Sequence, residues 1–217
     1  MHEHHTAHSE LSSPNSSSPY TSADPLVGAE PHHPTDRQLL ERAMREAVDF
    51  IHAEGWDQPP TMFGLVPTSV IARETGAAID DADQDNLTLV VQDLPDMGSG
   101  DELQDYVART AWPPTVTGAI VAQEIMFQNS AEPGTPPRKA RLFSGIIDGG
   151  PDLTLLQLRP TEDELKAAGA FGHDNIDLLG GPDVAPGIVA LLRSTFDAGH
   201  NAEATSYEDD PTTKGWG

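Results

Sequence analysis

The segment Val116–Phe127, VTGAIVAQEIMF, constrains this chain most. It reads as a long strand with apolar residues on both faces for most of its length. A strand that is apolar on both faces belongs in the middle of a sheet. Two further strands are given by sequence as well. Ala140–Ile147 and Leu153–Arg159 flank the turn DGGPD, which predicts a hairpin with a glycine-rich turn longer than two residues. Two further apolar runs, Met62–Val66 and Asn86–Val91, complete a predicted sheet of about five strands.

Helices punctuate the strands without regular crossovers. The first follows Thr35, an N-cap with Gln38 as its reciprocal partner. Leu40, Ala43, Ala47, Val48 and Ile51 fall on one stripe, and Gly55 stands where a helix ends. A brief helix, SVIARET, ends at Gly76, and the acidic loop AAIDDADQD follows. Ser99 and Glu102 frame a capping box for a helix carrying Leu103, Tyr106 and Val107. Thr161 and Glu164 open a short helix. After the loop FGHDNIDLLGGP, Asp183 is the expected N-cap of a last helix over Val184–Asp197. The expected fold is α+β: two layers, a mostly antiparallel sheet of about five strands, and three main helices on one face.

Residues 1–34 and 199–217 carry no sustained apolar periodicity and are expected to be disordered tails around a single domain over 35–198. The net charge is −23, and −16 of it falls on the domain. Such a body repels phosphate backbones and anionic lipid surfaces, so neither nucleic acid nor membrane is an expected partner. There are no cysteines, which excludes disulfides, cysteine–zinc sites and thiol catalysis. The N-terminal stretch has no basic, apolar leader pattern, and the cytoplasm is the expected compartment.

Three strings are distinctive: GWDQPPTMFGLVPT (Gly55–Thr68), LQDYVARTAWPPTVTGAIVAQE (Leu103–Glu124) and GGPDVAPGIVALL (Gly180–Leu192). With the hairpin, they resemble a family of actinobacterial conserved hypothetical proteins over most of residues 36–196. The resemblance implies an actinobacterial, cytoplasmic protein, and it carries over no catalytic residue.

Familiar chemistry is missing from the sequence. There is no G-x-S-x-G, P-loop, G-x-G-x-x-G or H-E-x-x-H, and Ser144 reads as an ordinary strand serine. The tail cluster HEHHTAH lacks the fixed geometry of a metal site. His52 suits the C-terminal end of the first helix. No cofactor and no metal is expected. Asp57, Glu124, Asp148 and Asp183 come from separate elements and could converge as an acid–base pair. Glu124 is the anomalous one, a charge on a strand that otherwise looks buried. Arg138, Lys139 and Arg141 form the one basic cluster, expected to pair with the chain's own acids.

Trp56 and Trp112 each stand beside a Pro-Pro breaker, which fixes an aromatic side chain at a corner. They either cover the edge of the core or, if they share one end of the domain, form a patch for a peptide or protein. Candidate binding residues are therefore Trp56, Asp57, Trp112 and Asp183. The sequence favours a non-enzymatic protein-interaction or adaptor domain with a protein or peptide partner. The alternatives are a small-ligand-binding domain, or an enzyme with an acid–base site built from carboxylates.

Overall fold

The structure, a computed structural model, describes residues 34–95, 100–129, 134–169, 176–180 and 184–206. The expected tail 1–34 falls outside these residues except for Pro34, and so do residues 207–217 and the caps Ser99 and Asp183.

Helix α1 spans Asp36–Glu54, and Thr35 and Gln38 form the capping box anticipated from sequence. Strand β1 (Thr61–Pro67), helix α2 (Thr68–Thr75), strand β2 (Leu87–Gln92) and helix α3 (Gly100–Arg109) follow. Strands β3 (Gly118–Phe127), β4 (Arg138–Ile147) and β5 (Asp152–Leu158) then form a meander, in which β4 and β5 are the predicted hairpin. Helix α4 (Glu162–Ala168), strand β6 (Leu178–Gly180) and helix α5 (Pro186–Ser206) complete the order. The sheet runs β2-β1-β3-β4-β5-β6, and every neighbouring pair is antiparallel. β3 sits inside the sheet, as its two apolar faces require.

The α+β class and the antiparallel sheet agree with the sequence reading, and three details differ. The sheet has six strands. The sixth, Leu178–Gly180, lies in the stretch read as a loop and pairs with Leu155, Leu156 and Gln157. Helix α5 continues past Ala198, the expected end of the domain, to Ser206.

Helices also cover both faces of the sheet, giving three layers where two were expected. Side chains alternate along a strand, so the two sets of β3 residues face opposite ways. Ile120 and Ala122 pack with Leu40, Met44 and Ile51 of α1. Ala119 and Val121 pack with Leu103 of α3 and Leu192 and Phe196 of α5. Each helix lays down one apolar stripe, and a central strand apolar on both faces needs two such stripes.

Glycines permit the close approach of α1. A Cβ on Gly145 of β4 would lie 2.7 Å from Met44 Sδ and 3.0 Å from Ile120 Cγ1. The helix therefore rests on bare backbone at this point.

Candidate functional site

The α1 face of the sheet changes character along the strands. On β4 the residues sharing that face are Lys139, Arg141, Phe143, Gly145 and Ile147. Phe143 and Ile147 join the core beneath α1. Lys139 and Arg141 lie beyond the point where the helix stops. Register sets Arg141 opposite Glu124 on β3 and opposite Gln157 on β5. A row of polar side chains thus crosses three neighbouring strands at the C-terminal end of α1.

The turn after α1 folds down onto this row. Arg141 is 1 % exposed. Its guanidinium donates to the carbonyl of Gly55, and its Nη1 lies 3.5 Å from Gln157 Oε1. The guanidinium carbon stands 4.1 Å from the centre of the Trp56 ring, and that of Arg159 stands 5.5 Å from it. Both distances are in cation–π range. Glu124 Oε1 accepts the backbone N–H of Asp57 at 2.7 Å, and its Oε2 lies 2.9 Å from Lys139 Nζ. Asp57 adopts φ +68°, which an aspartate tolerates better than most residues. That conformation points its carboxylate at Lys139 and at Arg159 Nη1, 3.1 Å away.

Trp56, Asp57, Glu124, Lys139, Arg141 and Arg159 therefore form one network. Hydrogen bonds from Lys139 and then Arg159 hold the Asp57 carboxyl below its ordinary value. Asp57 and, in second place, Glu124 raise Lys139. Burial lowers Arg141, and the charge of Glu124 opposes that shift. The cations that lower Asp57 are the ones its carboxylate pairs with, Lys139 and Arg159.

The structure brings Asp57 and Glu124 together as the sequence allowed, with cations between them. The basic cluster pairs with the chain's own acids as expected: Arg138 with Glu164 at 2.7 Å, Lys139 with Asp57 and Glu124, Arg141 with Glu124. Arg159 and Gln157 were missed. The available signal was strand phase, because Arg141 shares the face of Phe143 and Ile147, and Glu124 that of Ile120 and Ala122.

Trp112 lies elsewhere. Its Nε1–H donates to Thr195 Oγ1 at 2.8 Å, and its ring stacks on Phe196 with centroids 5.8 Å apart. A Cβ on Gly64 would come within 3.1 Å of its ring. Gly64 points to the face opposite Phe63 and Leu65, so Trp112 belongs to the α3–α5 side while Trp56 belongs to the α1 side. The two tryptophans do not form one aromatic patch. Ser144 is a buried strand residue that accepts from Thr154 at 3.4 Å. Among the described residues, no group of three or more histidines and acids could hold a metal ion. No described helix is long and apolar enough to cross a membrane.

One candidate surface outside this network is the sheet edge at β2; the opposite edge is the three-residue strand β6. Among the described residues, β2 pairs on one side only, with β1. Val90 and Val91 are 37 % and 48 % exposed, and Phe50 of α1 is 42 % exposed. Phe63 stands opposite Val91 in the register, and the ring of Phe50 meets that of Phe63 edge-on at 5.5 Å. Phe50 and Val91 thus flank Phe63 on the α1 side of the edge.

These features define an α+β domain with an open sheet edge and an ion-pair-locked helix corner. A family model described as PPA1309-like protein matches residues 40–197, and the chain belongs to that family. No curated protein and no solved structure matches it.

Proposed function

We propose that this protein is a non-enzymatic interaction domain that engages a protein partner through the β2 edge. The open edge with exposed Val90 and Val91 is the observation that carries the reading. Edge strands are commonly guarded by lysine, proline or a bulge, and Leu87–Gln92 holds neither lysine nor proline. Unguarded edges are used to recruit an extended segment of another chain through main-chain hydrogen bonds. The amide of Gln92 donates to the Val90 carbonyl at 3.0 Å, a side-chain bond that an incoming backbone N–H could replace.

The acid–base alternative draws less support, since Lys139 and Arg159 already pair with the carboxylates of Asp57 and Glu124. The Trp56 and Trp112 corners serve better as locks than as a recognition surface. The GWDQPP, AWPP and GGPD strings favour an actinobacterial origin, and the acidic body suits the cytoplasm.

A photocrosslinking residue placed at Val91 tests the reading, with one at the exposed Glu162 as control. The expected result is a discrete adduct from Val91 alone, abolished when Val90→Lys is added. No adduct, or an adduct indifferent to the lysine, would overturn it.

A further inference from the structure

We infer that the occupant of the β2 edge is an extended, basic segment of the partner, lying antiparallel or parallel to Leu87–Gln92 as a further strand. This rests on the interaction reading above and specifies the partner's chemistry. The argument is charge. From Glu74 to Ala108 the chain contains ten acids and no lysine or arginine, and β2 lies inside that stretch. Asp80, Asp81, Asp83 and Asp85 precede the strand, and Asp93 follows it. The groove between α2 and the start of β2, about 430 Å³, is lined by Glu46, Asp80 and Asp83 together with Ile71 and Leu87. Arg42 of α1 reaches this end of the strand, and it donates to Asn86 Oδ1 at 2.9 Å.

The same charge argues against two other occupants. A second copy paired β2 to β2 would set each acidic flank against its like, which opposes association. The N-terminal residues 1–34 hold four acids and no lysine or arginine, so with histidine neutral their net charge has the same sign as the edge. A partner strand with basic side chains meets the acidic flanks and gives its backbone to the edge. Its alternate apolar side chains reach Phe50 and Val91.

Two synthetic peptides of about eight residues, a usual strand length, serve as probes against the full chain: one alternates valine with lysine, the other valine with glutamate. Amide resonances of the ¹⁵N-labelled protein are followed. The valine–lysine peptide should shift the amides of Leu87–Gln92, and its affinity should fall several-fold as salt rises from about 50 to about 500 mM. The valine–glutamate peptide should leave them unmoved, and Val90→Lys with Val91→Lys should abolish the shifts while the rest of the spectrum is kept. Equal shifts from both peptides would overturn the charge assignment and leave edge binding standing. Shifts confined to other acidic surfaces, or none, would overturn the proposal, and the Val91 crosslink then decides the interaction reading independently. Concentration-dependent shifts at β2 without peptide would show a second copy as the occupant and likewise overturn it.

Discussion

The guanidinium of Arg141 is stacked on the ring of Trp56, 4.1 Å from its centre, and donates to the carbonyl of the residue before it, Gly55. One buried cation therefore holds both the side chain and the backbone of the turn that ends α1. An ammonium could not do this, because it has neither the planar face nor the fork of donors. Arg141→Lys should be destabilising nearly as much as Arg141→Met. Each is expected to cost about 2–4 kcal/mol, somewhat below the loss of one partner from an isolated buried pair, because Lys139 still faces Glu124. Urea unfolding of the two variants checks this, and a lysine variant of wild-type stability would refute the stacked geometry.

The charge of Asp57 should show as an acid-side weakness. Lys139 and Arg159 depress its folded-state pKa below the ordinary 3.8. A carboxyl so depressed adds stability above its unfolded value and loses it as pH falls through the folded value. Glu164 is lowered too, chiefly by the backbone N–H of Thr161 and then by Arg138, so it acts in the same direction from an ordinary 4.5. Asp57→Asn keeps a side chain suited to φ +68° and removes the charge. It should lower the unfolding midpoint at neutral pH slightly and flatten its decline below about pH 4, the ordinary carboxylate region. Thermal melts across that range, wild type against variant, test the sign.

The bare backbone beneath α1 gives a sharper packing test. Gly145→Ala would drive a methyl to 2.7 Å from Met44 Sδ and 3.3 Å from Leu40 Cδ1. Thioethers give way, so the cost should be about 1–3 kcal/mol and not a failure to fold. Met44→Ala alone leaves a cavity worth about 2–5 kcal/mol. The double variant should be more stable than the two losses added together, by about 1 kcal/mol, because the new methyl enters the vacated space. Strict additivity would mean that α1 relieves the contact by shifting as a body.

What was legible in the sequence was local. Thr35 and Gln38, and again Thr161 and Glu164, cap their helices within one turn, and both boxes could be read directly. The hairpin around Gly149 announced itself through its turn residues. Strand β6 did not, because three residues become a strand only by meeting β5. Arg141 and Gly55 stand 86 positions apart, so no window of sequence contains their bond. Glu124 was visible as an anomaly and its partner was not, since pairing it with Arg141 required the register. The apolar double face of β3 already implied helices on both sides of the sheet, a consequence the one-faced arrangement overlooked.

Trp112 should prove to be a lock. Its ring fills the space that Gly64 leaves by having no side chain, lies flat on Phe196, and gives its N–H to Thr195. The Thr195 hydroxyl in turn donates to the carbonyl of Leu192, which ties the corner after α3 to the body of α5. Trp112→Phe keeps most of the stacking and leaves the buried Thr195 oxygen without its donor, at about 1 kcal/mol. Trp112→Ala also opens the space over Gly64 and should cost about 2–3 kcal/mol, less than a fully buried aromatic because this ring is half-exposed. Thr195→Val should remove the difference between tryptophan and phenylalanine at position 112, because the indole N–H then has nothing to meet. Chemical denaturation of this set measures the coupling. Unchanged stability in all of them, with a lost partner instead, would return Trp112 to the interaction surface.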